Sequence, residues 1–254
     1  MSLIHAEYIK LSRRRLYPVM LAVLTVFMAL AAFFLIAFAR IAPELAGEVP
    51  SLEKPVAYLI GAQQAAGQTW FPLILAAVIL GGEFGSTVWA TALTRDPRRW
   101  AHILARLLVL TLAGWAAFLF ATGIWGLIAL FSAGGTGSPS IGEWIGLFWR
   151  LGLISLAWSS LGLGLVAVLR SIGPAIGAAI GFSFLEGILA LWDPYENVSL
   201  SAATTGMFDF VFGQSLAGFV PGADLSVAHA VAIVAGWTVV GILLGWWGLQ
   251  RRDA

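Results

Sequence analysis

The chain has 254 residues, 60% of them hydrophobic and only 11% charged, with 12 tryptophans and no cysteine. A soluble domain of this length carries about a quarter charged residues and cannot hide so much apolar surface, which excludes that class and leaves a polytopic membrane protein. The formal net charge of +1 decides little, because in a membrane protein the placement of charge matters more than its sum.

Residues 2–15 come first. Leu3, Ile4, Tyr8 and Leu11 recur near helical spacing, with Glu7, Lys10 and Arg14 displaced to the other side. That pattern predicts a short amphipathic helix lying in the membrane interface, or else a basic topogenic tail without fixed structure. The apolar run 16–39 outruns the h-region of a cleaved signal, about 7–15 residues, and at about 1.5 Å per residue it can cross a core of about 30 Å. It is read as a retained first span.

Pro43, Gly47, Pro50 and Pro55, interleaved with Glu44, Glu48 and Glu53, mark a loop. The second span, 58–80, carries Gln63, Gln64 and Gln68 in its first half and Pro72 near its middle. Amides in lipid need partners, so Gln64 and Gln68, on one helix face, should meet protein or water. Then comes a polar stretch dense in arginine, GGEFGSTVWATALTRDPRRWAHILAR at 81–106. Its polar part, 84–94, reads as a short helix stopped by Asp96 and Pro97.

Further spans follow at 103–131, 141–169, 174–192 and 228–249. Pro174 suits the first turn of its helix, where a missing N–H costs nothing. Residues 193–227 read as acidic and irregular, except for an apolar piece, 207–220, too short to cross and so re-entrant or interfacial. The expected architecture is therefore all-α: a single transmembrane domain over 1–254, with six transmembrane helices and both ends on one side. Placing the N-terminus inside puts 11 of the 14 Lys and Arg residues in the cytoplasm. Only Arg40 and Lys54 fall outside, and Arg150 lies within a span. That is a strong positive-inside signal, and it makes 81–102 a cytoplasmic connector.

Within the spans, Arg150 and Glu186 are calculated to lie at similar depths from the outer end. A lone charge at mid-membrane costs about 2.5–3.5 kcal/mol on insertion scales, which favours pairing or a wet cavity. The two are expected either to form a packing salt bridge or to serve a transport path, with snorkelling open to Arg150. Small residues repeat at every fourth position, at Gly173, Gly177 and Gly181 and again at Gly241 and Gly245, fitting close helix packing within the chain or a dimer seam. Tryptophans 144, 149, 192, 246 and 247 sit near span ends as interface anchors.

The glycine-rich 81–87 lacks the lysine of a phosphate-binding loop, so any ATP chemistry belongs to another chain. No paired-histidine metalloprotease motif or serine-nucleophile elbow is present, and neither a catalytic nor a metal-binding residue is expected.

The chain resembles the membrane subunit of a type 2 ABC transporter. AEYIKLSRRRLYPVMLAVL at 6–24 is similar to that family's interfacial helix and first span. The stretch 81–108 resembles its cytoplasmic segment, with Glu83, the Ser86–Thr87 pair, Leu93, Pro97, Arg99 and Arg106 in matching places. Arg106 stands where the family often has lysine, and Ser86 interrupts a glycine–threonine pair. The turn ending LRS at 169–171 and the Leu185–Glu186 pair fit too, as does the apolar segment before the last span.

The resemblance implies an export-type permease in a bacterial cytoplasmic membrane. It would be paired with a second permease copy or a related one, and driven by separate ATP-binding subunits that carry ATP and magnesium. The ATPase would grip the connector as a coupling helix through Glu83, Phe84, Thr87, Leu93, Arg95, Pro97, Arg98 and Arg99. Gln64, Gln68 and Glu186 would meet the substrate along the first, second and fifth spans. Membrane lipid is an expected partner; nucleic acid is not. A scaffold or sensor that recruits a cytoplasmic protein is the alternative. A secondary transporter has less support, since the spans hold few acidic or histidine relays and no inverted repeat.

Overall fold

A computed structural model describes residues 3–13, 15–41, 55–84, 98–133, 140–208, 222 and 225–250. Among these, regular structure is entirely α-helical. The helices are α1 (Leu3–Arg13), α2 (Leu16–Ile41), α3 (Pro55–Ala66), α4 (Trp70–Phe84), α5 (Arg99–Ala133), α6 (Ile141–Leu169), α7 (Ile172–Leu189), α8 (Asp193–Glu196), α9 (Leu200–Gly206) and α10 (Val227–Gln250). Six helical segments are long and apolar enough to cross a membrane, with α3 and α4 together forming the second. The chain is thus a multi-pass membrane protein by length and composition.

Its second span is not continuous as expected but breaks at Gly67, Gln68 and Thr69. Pro72 gives the reason. A proline inside a helix removes one backbone bond and clashes with the carbonyl four residues back, whereas in a first turn it costs nothing. The chain therefore stops α3 at Ala66 and restarts at Trp70, placing Pro72 in the new first turn. The Gln68 carbonyl, freed by the break, accepts from the Phe71 N–H at 3.0 Å.

α6 is the central helix. It packs on α4, α5, α7 and α10, and 72% of its span window is buried, against 17% for α7 and for α10 and 22% for α2. Ser140 and Glu143 form a capping box at its start, and Arg170 ends it in a left-handed conformation, φ 54°. The two rows of small residues have different fates. Gly241 and Gly245 let α10 approach the α6 backbone, whereas Cβ atoms added at Gly173, Gly177 or Gly181 would meet nothing within 4 Å. The α7 row faces outward.

Three expectations need correction. α5 starts at Arg99, earlier than residue 103. The stretch 193–227, read as irregular, contains α8 and α9. The amphipathic α1 forms, but alongside Leu11 it buries the charged Glu7, while Ile4 and Tyr8 stay exposed. The connector helix expected over 84–94 lies, beyond Phe84, outside the described residues, as does the expected re-entrant piece beyond Phe208.

A Cβ at Gly241 would come within 2.5 Å of the Ser160 backbone carbonyl carbon, whereas one at Gly236 would meet open space. Gly241→Ala should therefore cost about 1–3 kcal/mol through overpacking. Gly236→Ala should be neutral or stabilising by up to about 1 kcal/mol. Thermal unfolding of both variants in detergent checks this.

Candidate functional site

Two polar assemblies lie at opposite ends of the bundle. At the first end, Arg106 on α5 pairs with Glu83 on α4 and, at 3.4 Å, with Glu7 on α1. Lys10 closes the group, 2.9 Å from Glu7 and 3.0 Å from Glu83. Glu83 and Arg106 are 3% and 4% exposed. A buried charge is tolerated only when paired, so the network holds three helices in one arrangement.

Close by, the Arg99 guanidinium donates to the Leu249 carbonyl at 3.1 Å and that of Arg170 to Gly248 at 2.9 Å. Both satisfy carbonyls at the end of α10 that have no partner within the helix. Trp100 stacks on Trp246 at 4.3 Å. Both ends of the polar segment between α4 and α5 are thus tied to other helices.

These contacts give the expected coupling residues distinct surroundings. Glu83 is buried in the ion network, Phe84 is half-buried, Arg99 caps α10 and Arg98 is exposed. Thr87, Leu93, Arg95 and Pro97 lie outside the described residues.

At the other end, Glu186 is 1% exposed and its carboxylate is crowded with donors. The Tyr195 hydroxyl donates at 2.5 Å, Ser199 at 3.0 Å, the Ser201 backbone N–H at 3.2 Å, and the Leu200 N–H also donates. The carboxylate thereby neutralises the start of α9 and fastens it to α7. Burial, with the hydrogen bond and negative charge from Glu186, raises the Tyr195 phenol well above its ordinary value. The sequence suggested Arg150 as the partner of Glu186, and the structure does not make that pair. Equal depth says nothing of direction around the helix axis, and donors from the α8–α9 turn occupy the carboxylate first. Arg150 instead lies over the Trp149 ring, 5.5 Å from its centroid.

Between the two ends lies a cavity of about 680 Å³, within the about 300–1,000 Å³ usual for small-molecule sites. Val23 and Phe27 of α2, Trp70 and Ile74 of α4, and Ile180 and Phe184 of α7 form its apolar walls. Its polar groups come from Gln63, Thr69, Ser183, Ser201, Thr204 and Thr205. Thr69 and Ser183 bond each other at 2.5 Å. Thr204 donates to the Leu200 carbonyl and accepts from Trp158. The Gln63 Oε1 is buried with no hydrogen-bond partner, an arrangement that costs about 1–3 kcal/mol unless something else supplies the bond.

Of the residues expected on a substrate path, Gln64 is half-buried and does not line this cavity, and Glu186 stands behind it holding α9. Gln68 folds back at the helix break, accepting from Trp70 Nε1 at 2.8 Å and donating to the Gln64 carbonyl at 3.4 Å. Gln63, Ser201 and Thr205 line the cavity instead. Only the cluster of glutamines beside Gly67 hinted at this, since which amide faces inward depends on where the helix breaks.

Comparison with family models, with characterised proteins and with solved structures finds no match.

The ion network supports a direct test. Glu83→Leu or Arg106→Leu alone should cost about 3–5 kcal/mol by leaving the buried network with one charge uncompensated, while the double variant should recover most of that loss because Glu7 and Lys10 still balance each other. A thermal-stability double-mutant cycle measures the recovery.

Proposed function

We propose that this chain is the permease subunit of an ATP-driven ABC transporter of the export type, working in a bacterial cytoplasmic membrane with a separate ATPase. The observation that carries the reading is the rooting of the polar segment between α4 and α5. Its first stem is held by Glu83 against Arg106 and Lys10, and its second by Arg99 and Trp100 against α10. A push on that segment from a soluble partner would reach α1, α4, α5 and α10 together. Its arginines, Arg95, Arg98 and Arg99, fit both a cytoplasmic position and an acidic docking surface.

In this reading ATP and magnesium bind the partner, and closure of the partner dimer drives two connectors towards each other. The spans then rock from inward-open to outward-open around the cavity. A second copy, or a related permease, has a place to pack on the open row Gly173, Gly177 and Gly181 of α7, where close helix approach meets no side chain. The broken second span supports transport as well, because irregular backbone at membrane depth is tolerated where it lines a cavity.

The affinity-tagged chain, purified in mild detergent from its native membrane, should bring down a nucleotide-hydrolysing subunit. Neutralising Arg95, Arg98 and Arg99 together should weaken that association about tenfold, at about 0.2–1 kcal/mol per surface charge pair and with the Arg99 cap on α10 lost as well. Recovery of an unaltered complex from the triple variant would count against the connector as the docking site.

A further inference from the structure

The cavity between α2, α4, α7 and α9 has a chemical asymmetry that narrows its ligand. No charged side chain is among the described residues that line it. The Glu186 carboxylate, beside the lining residues Gly187 and Ser201, is buried and saturated by four donors. An ionic ligand would lose its hydration here without gaining a counter-charge, a cost of several kcal/mol in a membrane interior.

Polar capacity gathers where α9 packs on α3 and α7. There the Gln63 amide has a buried, partnerless carbonyl oxygen. Ser201 and Thr205, also lining the cavity, have no side-chain hydrogen bond to the described residues. The walls leading away, towards Val23 and Ile74, are apolar. Phe27 and Phe184 flank the cavity from α2 and α7 yet remain 54% and 71% exposed. The space between these two helices therefore opens sideways, towards the surface that lipid covers.

We infer that this cavity takes an uncharged amphiphile from the bilayer, with its small hydroxyl- or amide-bearing head on Gln63, Ser201 and Thr205 and its apolar body between Phe27, Trp70 and Phe184. The head bonds to the Ser201 and Thr205 hydroxyls and to the accessible part of the cavity-lining Gln63 amide, and the tail needs no water-filled route. The inference rests on reading the cavity as the transporter's substrate site and names the class of substrate.

The test uses the full chain in nanodiscs and a photoactivatable monoacylglycerol, with a photoactivatable fatty acid at pH 8 as its anionic counterpart. Crosslinks are mapped by mass spectrometry. The neutral probe should label α4 and α7 residues around the cavity and be displaced by unlabelled monoacylglycerol. Gln63→Leu and the shape-conserving Thr205→Val should each lower labelling about fivefold, the equivalent of one hydrogen bond of about 1 kcal/mol. Ile74→Trp, which fills the cavity, should abolish it, while Val240→Trp on the exposed face of α10 should not. Labelling spread evenly over lipid-facing helices, equal labelling by the anionic probe, or indifference to Ile74→Trp would overturn the inference. Binding is read without any ATPase. A chain that labels but recruits no ATPase therefore refutes only the export reading, and one that recruits it but does not label refutes only the ligand class.

Discussion

The arrangement depends first on one buried cation. Arg106 sits inside the bundle, 4% exposed, and a guanidinium cannot shed its charge at any physiological pH. It must be met by carboxylates, and the two that meet it come from different helices, Glu83 on α4 and Glu7 on α1. Coulomb attraction in a low-dielectric setting then does what the hydrophobic effect cannot do between helices in lipid, which is to specify a particular neighbour. The pairing also fixes the two stems of the arginine-rich segment relative to each other.

A second carboxylate organises the far end differently. Glu186 uses its charge on hydroxyls and backbone N–H groups and so anchors the short α9, part of which forms a wall of the cavity. Between these fixed ends the helices fall into two sets. The second, third and fourth spans are 56–72% buried, while α2, α7 and α10 are about a fifth buried or less. The cavity lies where the peripheral α2 and α7 border the central α4. Displacement of peripheral helices against a firm centre is the motion such packing allows most easily.

Much of the fold was legible because a bilayer imposes a length on every span. The apolar run from 141 to 169 matches α6 residue for residue, and the spans at 16, 174 and 228 begin within two residues of α2, α7 and α10. Side-chain direction was not legible. Arg150 and Glu186 were matched by depth alone, and depth leaves the angle about each axis free. Glu83 and Arg106 stand 23 positions apart on different helices, a separation that no periodicity links, so their contact emerges only from packing. Pro72 was visible in the sequence, but not that the helix would break as far back as Gly67, nor that Gln63 rather than Gln64 would line the cavity.

If the proposed coupling operates, force on the segment between α4 and α5 changes access to the cavity. The chain contains no cysteine, so a single Gln63→Cys variant reports on the cavity alone. Its reaction rate with a membrane-impermeant maleimide should be measured in proteoliposomes, with the partner ATPase present and ATP added inside or withheld. The rate should change with ATP, and the change should disappear with a hydrolysis- and closure-deficient ATPase. A rate indifferent to ATP in an assembled, ATP-hydrolysing complex would contradict the proposed coupling.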